Sequence, residues 1–178
     1  CPPAVLAMAL CAAFGTAARA QPAGPQVISG QATFTQKGSQ LLVTTQNAPG
    51  TQGSAINWQS FSVPAGQGAY FQQPNTGSTV INRVVAPNPS QIYGTLGSNG
   101  KLVLVNPAGI AVGAGAVVDT AGFTASTLQM SEADAKAGRL RIANDGTAGA
   151  LNVNGNVVAR GGDVVLIAPQ LQVGEKAV

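Results

Sequence analysis

From Gln26 onward the chain consists of short runs separated by breaks of Gly, Asn or Pro. Each run is either apolar throughout or has apolar and polar residues in alternation. The runs are of strand length, are rich in β-branched residues and show no helical period, so each predicts a short β-strand. They are ATFTQ (32–36), QLLVTTQ (40–46), SAINWQSFSV (54–63), AYFQQ (69–73), STVINRVV (78–85), KLVLV (101–105), IAVG (110–113) and AVVDT (116–120). The breaks include Asn-Gly, Asp-Gly and Gly-Gly pairs, which supply the positive φ angles that tight turns require.

The run KLVLVNPAGIAVGAGAVV (101–118) carries a single charge, at Lys101, and is almost long enough to cross a membrane as a helix. The composition of this run argues against a membrane-spanning helix. Asn106-Pro107-Ala108-Gly109 has the residues of a turn, Gly113 and Gly115 loosen the remainder, and many of the other positions are β-branched. The run therefore predicts two buried strands joined by a tight turn, and the chain is not expected to span a membrane.

Many short strands can be buried either in a sandwich of hairpins or in a solenoid of stacked coils. The pair Val80-Ile81 lies about one solenoid coil before Leu102-Val103, and Phe61 precedes Val80 by a similar distance. This spacing favours the solenoid, in which parallel ladders join successive coils and small aliphatic side chains stack inside. The predicted class is all-β, a parallel β-helix.

Two segments are predicted to lie outside the regular coils. Residues 26–46 are rich in Thr and Gln, and we expect them to form a sheet that caps the N-terminal coil, because an uncapped end exposes unpaired strand edges. Ser131 followed by Asp134 resembles a capping box, and Gly138 is a natural helix stop. A short surface helix between coils is therefore expected there.

The first twenty residues have the features of a cleavable signal peptide: an apolar stretch, then Ala18-Arg19-Ala20 before Gln21. No basic n-region precedes the stretch, so we expect the sequence to begin inside the signal. Residues 21–178 then form one domain, expected to be truncated at its C-terminus. Removing 1–20 takes away both cysteines and Arg19, which leaves eight basic and six acidic residues and a net charge of +2.

The composition argues against nucleic-acid binding and against catalysis. The basic residues are scattered singly, without the clustering of a nucleic-acid surface. The part after residue 20 has no His and no Cys, so no catalytic, cofactor or metal site is predicted. Glu132 and Asp134 are two apart and point to different sides of a helix, which indicates a solvated cap. The six carboxylates are Asp119, Glu132, Asp134, Asp145, Asp163 and Glu175.

Several of these segments, in order, resemble the N-terminal secretion domain of filamentous-haemagglutinin-type exoproteins, the cargo of two-partner secretion systems in Gram-negative bacteria. The matching segments are INWQSFSV (56–63), AYFQQP (69–74), INRVVAPNPSQIYGTLGSNGKLVLVNPAGIAVG (81–113) and VDTAGFTAST (118–127). The segment GGDVVLIAPQ (161–170) resembles the family more weakly. The resemblance implies a right-handed parallel β-helix at the start of a longer secreted or cell-surface protein. It also implies a partner, an outer-membrane barrel transporter whose periplasmic POTRA domains receive this domain unfolded or partly folded.

The chain departs from the family at one turn, where the usual Asn-Pro-Asn-Gly is Asn106-Pro107-Ala108-Gly109. A type I turn keeps its third residue at negative φ and accepts Ala there, whereas a type II turn would strain it. We therefore predict type I geometry. The candidate residues for partner recognition are Asn57, Trp58, Phe61, Asn82, Arg83, Asn106, Pro107, Gly109 and Ile110.

For some of these residues a structural role competes with recognition. Asn57, Asn82 and Asn106 are expected to bond turn or ladder backbone, with partner contact as the alternative. Arg83 is expected to be a solvated outward residue; the alternatives are a pair with Asp119 or a transporter contact.

Trp58 and Phe61 are three apart, so in one strand they would face opposite sides. One of them is then core, and the other is expected to cover the open end of the solenoid.

A second function stays open at this stage. Whole proteins of the resembled family often bind host cells, so an adhesin module that contacts host glycans or proteins through a Gln- and Thr-rich face is the alternative to a secretion domain. The expected partners are thus a transporter and, in the alternative, a host-cell surface.

Overall fold

The computed structural model describes residues 21–175 and 177. It contains sixteen strands and one short helix within those residues. The strands are β1 (Gln26–Ser29), β2 (Gln31–Lys37), β3 (Gln40–Gln46), β4 (Gly53–Trp58), β5 (Gly68–Gln72), β6 (Thr79–Val84), β7 (Ser90–Ile92), β8 (Thr95–Ser98), β9 (Lys101–Val105), β10 (Ile110–Val112), β11 (Val117–Thr120), β12 (Gly122–Ser126), β13 (Leu151–Val153), β14 (Asn156–Ala159), β15 (Val164–Ile167) and β16 (Leu171–Val173). The helix α1 (Glu132–Lys136) lies between β12 and β13.

The strands form three sheets that run along the axis of a coil. The first sheet has the order β1-β4-β6-β9-β12-β15, the second β16-β13-β10-β7, and the third β14-β11-β8-β5-β3-β2. From β3 to β16 all pairings between successive coils are parallel. The predicted all-β parallel β-helix is confirmed.

The spacing that favoured a solenoid is confirmed at one of its two places. Val80 pairs with Leu102 and Ile81 with Val103, in register across adjacent coils. Phe61 does not fit this register, because the partner of Val80 in the preceding coil is Ser54. The expected one-coil relation between Phe61 and Val80 is wrong, since β4 ends at Trp58 and Phe61 lies in the corner that follows.

The run from 101 to 118 contains the two predicted strands and the turn between them, and it also contains the start of a third strand. β9 and β10 are joined by the turn at Asn106-Pro107-Ala108-Gly109, and β11 starts at Val117. Four of the five residues of β9 are buried, as expected for a strand with the coil interior on one face and a covering segment on the other. Within the described residues no helix has the length and apolar character needed to cross a bilayer.

The predicted N-terminal cap is present, and it differs from the prediction in one boundary. β1 runs antiparallel to β4, and β2 runs antiparallel to β3. β3 also pairs in parallel with β5, so it belongs to the first coil although it was included in the cap range 26–46. The capping elements proper are β1 and β2, and β2 covers the end of the third sheet.

The predicted surface helix is also present. Ser131 is the N-cap of α1: its Oγ accepts the backbone N–H of Asp134 at 3.0 Å, and Gly138 follows the helix at φ +66°. The helix belongs to a longer excursion between β12 and β13, here called the extra-coil segment (residues 128–149). This segment lies over the outward face of the first sheet.

The described residues form two apolar clusters, one inside the coil and one outside it. The interior cluster contains Trp58, Phe61, Phe71, Leu102 and other side chains with almost no exposure. The exterior cluster lies between the extra-coil segment and the first sheet. It consists of Ala55, Ile81, Val103, Val105, Met130 and Ala135, with Ile28 and Ile142 packed against it.

The predicted signal peptide, residues 1–20, lies outside the described residues, and both it and the domain limits stay predictions.

Candidate functional site

Asn82 lies inside the coil, in the middle of an otherwise apolar column. It pairs in register with Ile56 on one side and Leu104 on the other, and its side chain has no exposure. Its Oδ1 accepts the indole N–H of Trp58 at 2.9 Å, and its Nδ2 donates to the Val103 carbonyl at 3.3 Å. A buried indole N–H needs an acceptor, and Asn82 supplies one from the next coil.

Trp58 and Phe61 are both completely buried. The expectation that they occupy opposite faces is wrong, because the strand ends at Trp58 and the chain turns before Phe61. Their rings meet edge to face at 5.5 Å, and Phe61 stacks on Phe71 at 6.1 Å. Phe34 from the cap strand β2 contacts Trp58 at 5.6 Å. The covering of the solenoid end is therefore done by Phe34, with Trp58 beneath it.

Arg83 points away from the coil interior, yet it is not a solvated surface residue. Its Nε donates to the Met130 carbonyl of the extra-coil segment at 3.0 Å, and its Nη1 donates to Asn57 Oδ1 at 2.7 Å. Burial lowers the pKa of its guanidinium, and the charge of Glu132 partly offsets this effect. The expectation of a solvated Arg83 is wrong.

The alternative pairing of Arg83 with Asp119 is wrong as well, since Asp119 binds Arg160. Asn57 lies beside Arg83 and is buried, and its Nδ2 donates to Glu132 Oε2 at 3.5 Å. Asn57 thus bonds side chains and not ladder backbone.

The turn after β9 has the predicted geometry at its third residue. The Gly109 N–H donates to the Asn106 carbonyl at 3.1 Å, and no non-glycine residue in the described part of the chain has positive φ, Ala108 included. Gly109 is at φ +121°, a value that side chains disfavour. Ile110 then enters the interior cluster as the first residue of β10.

Asn106 is completely buried and holds this turn in place. Its Oδ1 accepts the Ala108 N–H at 3.0 Å, and its Nδ2 donates to the Asn88 carbonyl and to Ser90 Oγ at 2.8 and 2.9 Å. Asn106 therefore ties its own turn to the start of β7 in the preceding coil. The expected role for Asn106, bonding of turn backbone, agrees with these contacts.

Arg83 and the turn after β9 lie at the same surface depression. Arg83, Pro107 and Ala108 line it together with Gln129 and Thr147 of the extra-coil segment. The Pro107 carbonyl accepts the Gly149 N–H at 2.8 Å, so the segment is also attached at the turn. Trp58, Phe61, Asn82 and Ile110 do not reach this depression, because they lie inside the coil.

Sequence reasoning missed the residues that cover Arg83. Met130 contributes both a backbone acceptor and a buried side chain, although it is 47 residues away along the chain. An apolar residue directly before a helix cap, here Met130 before Ser131, is the position from which a side chain can pack under the first turn. The position of Met130 could have predicted that its side chain packs under the helix, but it does not indicate which strand the helix covers.

The carboxylates are used in local pairs on the surface. Glu132 binds Lys136 at 2.6 Å, and Asp134 accepts from Ser131 and Arg139. Each of these partners lowers the pKa of its carboxyl, as Arg160 lowers the pKa of Asp119. Within residues 21–175 and 177 no three acidic, His or Cys side chains come together as metal ligands would.

Comparison with known proteins gives consistent results. A family model described as "TPS secretion domain" matches residues 18–177. A heme/hemopexin-binding protein of Haemophilus influenzae strain Rd is 35% identical over 143 residues, which cover 80% of this chain and 14% of that protein. A second heme/hemopexin-binding protein of Haemophilus influenzae is 40% identical over 78 residues, 44% of this chain and 8% of its own length.

The fold comparison agrees with the sequence comparison. The crystal structure of the HMW1 secretion domain from Haemophilus influenzae matches with a TM-score of 0.71 at 29% identity, covering 85% of this chain and 40% of that one. The chain therefore spans a small part of the curated relatives and less than half of the solved chain.

Proposed function

The chain belongs to the TPS secretion domain family, and on this premise we propose that it is the N-terminal secretion domain of a longer exported protein, recognised by a dedicated outer-membrane transporter. The route in this proposal begins with a Sec signal peptide and passes through the periplasm of a Gram-negative cell. POTRA domains of the transporter receive the chain there, and a barrel conducts it to the cell surface.

One observation supports recognition before folding. Seven of the nine candidate recognition residues are buried in the folded domain, inside the coil, in its turn or, for Asn57, beneath the extra-coil segment; only Arg83 and Pro107 are partly exposed. If the transporter reads Asn57, Trp58, Asn82, Asn106 or Ile110 directly, it must do so in the extended chain. Folding then removes these residues from the transporter, because the same side chains become core and turn contacts. Binding and release would thus use one set of residues.

Folding can also bias the direction of export, which matters because the periplasm has no ATP. Each coil that stacks on its predecessor adds favourable free energy, as in other solenoids. At the C-terminal end of the structure the last coil leaves Val164, Val165, Leu171 and Val173 substantially exposed. In this proposal a following coil would stack on these side chains.

The test is a disulfide that keeps adjacent coils joined in the periplasm. Thr95 and Val117 are register partners on the exposed face of neighbouring parallel strands, β8 and β11. Neighbouring strands lie about 4.8 Å apart, within reach of a disulfide. The T95C/V117C chain, produced with its cognate transporter, is expected to accumulate in the periplasm and to reach the medium when a reductant is added.

Two controls separate the bridge from the substitutions. The single variants T95C and V117C are each expected to be exported like the natural chain, with or without reductant. Export of the oxidised double variant at the natural rate would contradict recognition of an extended chain, and export without any cognate transporter would contradict the secretion role itself.

A second candidate is an adhesin module, favoured by the outward face of the third sheet. That face is not covered by the extra-coil segment, and it exposes Tyr70 and Val117 with Gln72 and Thr95 beside them. Aromatic and amide side chains of this kind can contact host glycans or proteins. A Y70A variant that is exported normally but no longer attaches purified protein to host cells would support adhesion by this domain.

A further inference from the structure

The extra-coil segment is held to the coil by few contacts. Of residues 128–149 only Met130 and Ala135 are buried, while most of the others are exposed, Leu140 by 51%. The segment closes on itself through a pair of backbone hydrogen bonds between Gln129 and Ala143, both at 2.9 Å. Such an excursion has the low density of buried apolar contacts that characterises a locally opening unit.

The surface beneath the segment exists only after several coils have stacked. Ala55, Ile81 and Val103 belong to three successive strands of the first sheet and lie in one register row. The next row on the same face is Asn57, Arg83 and Val105. The segment therefore packs on a surface to which each of three coils contributes one part, and no single coil provides a place for it.

Arg83 is the polar contact that joins these parts. Its guanidinium, from the second coil, binds Asn57 of the first coil through Nη1 and the Met130 carbonyl of the segment through Nε. Two further attachments reach other coils: Ser29 Oγ donates to the Lys136 carbonyl at 3.1 Å, and the Gly149 N–H donates to the Pro107 carbonyl. The attachments thus span the cap strand β1 and the first three coils.

The chemistry of Arg83 suits a contact that forms late. While the segment is open, the guanidinium faces water and pays no burial cost, so the stacked coils are complete without it. When the segment closes, the charge is partly covered and the planar fork satisfies two acceptors at once. We propose that the extra-coil segment packs onto the first three coils after they have stacked and slows their unfolding. The hydrogen bonds of Arg83 hold the segment in this position.

This inference goes beyond the secretion role, because it concerns the folded chain alone and needs no transporter. Contacts that are absent from the folding transition state change the unfolding rate and leave the refolding rate almost unaltered. If the segment packs late, weakening its contacts must speed unfolding and leave refolding almost unchanged. A segment that forms early and guides the stacking of coils must instead change the refolding rate.

The experiment measures refolding and unfolding rates of the 178-residue chain in guanidinium by stopped-flow circular dichroism. For R83M we expect unfolding about tenfold faster, the effect of losing partly buried hydrogen bonds to a charged group, and refolding within about twofold of the natural chain. M130A, which removes a side chain from the same contact surface, is expected to act in the same direction. The matched control is R160M, whose arginine also binds two oxygens but on the exposed surface, and both of its rates are expected within about twofold.

Limited proteolysis gives a second, independent readout. Arg139 and Arg141 are exposed tryptic sites within the extra-coil segment. Under native conditions R83M, or R83K if R83M does not fold, is expected to be nicked there at least several-fold faster than the natural chain and R160M. Slower refolding of R83M with an unchanged unfolding rate overturns the proposal, as do unchanged rates together with unchanged cleavage in the segment.

Discussion

The buried pair of Trp58 and Asn82 allows a quantitative test of how the coils are held together. Replacing Asn82 by Leu keeps a similar volume but removes the Oδ1 that accepts the indole N–H at 2.9 Å and the Nδ2 that donates to the Val103 carbonyl. An unsatisfied buried donor costs about 1–3 kcal/mol, and the apolar side chain recovers part of this. We expect N82L to lower the free energy of unfolding by about 1–2 kcal/mol.

A double-mutant cycle separates the hydrogen bond from the change in packing. W58F removes the indole N–H, so N82L made in that background leaves no indole donor unsatisfied. There it is expected to cost at least about 1 kcal/mol less than in the natural chain.

The assay is guanidinium unfolding followed by far-ultraviolet circular dichroism, because Trp58 is the single tryptophan and W58F removes the fluorescent reporter. N156L, at an exposed position of β14, is the control and is expected to change stability by less than about 0.5 kcal/mol. Equal costs of N82L in both backgrounds would refute the reasoning, because the hydrogen bond would then contribute nothing specific.

Three further predictions concern the turn, the cap and the response to pH. G109A is expected to cost about 1–3 kcal/mol in guanidinium unfolding because Gly109 is at φ +121°, whereas A108G should cost less than about 1 kcal/mol; similar costs would contradict the turn geometry. Deleting 26–46, which removes both cap strands and β3, should yield soluble aggregates in size-exclusion chromatography, and a monodisperse monomer would count against the capping role. The pKa of Asp119 is lowered by its hydrogen bond to Arg160, so its contribution to stability is present above the ordinary value of 3.8 and lost as the pH falls below it. The chain has no His, so the unfolding midpoint should be flat from about pH 5 to about pH 8 and fall in acid; a step near pH 6.5 would be unexpected.

Local sequence patterns predicted eight of the sixteen strands of the described residues, together with the turn after β9 and the helix, because the causes of these elements are local. The predicted runs did not include β1, β7, β8 or the strands from β12 onward. The turn at Asn106 to Gly109 follows from the φ preferences of Pro and Gly, and Ala108 fits its third position at negative φ. The helix start at Ser131 follows from a hydroxyl that can accept a nearby backbone N–H. The stacking of Val80 on Leu102 followed from a spacing of one coil.

The candidate site was predicted as a set of residues but not as an arrangement. In β6, Val80, Asn82 and Val84 share one face and Thr79, Ile81 and Arg83 share the other, so both faces mix apolar and polar residues. An alternation of period two determines which side chains share a face. Here one face carries Asn82 and the other carries Thr79 and Arg83, so neither face is wholly apolar and the pattern alone does not determine which one looks inward. The structure places Asn82 inside and Arg83 outside, and it gives each a partner from a distant part of the chain.

The sequence by itself determined that this protein is built from short strands and tight turns, that it coils in parallel, and that one short helix leaves the coil after β12. The strands, turns and helix depend on backbone preferences of neighbouring residues, and the parallel coil depends on a spacing that recurs about once per coil. Only the tertiary structure decided that Trp58 and Phe61 are both buried and that Arg83 is covered by the extra-coil segment. The reason is that burial and pairing across coils depend on where a strand ends and on what packs over it, and those partners are brought together by stacking and not by sequence proximity.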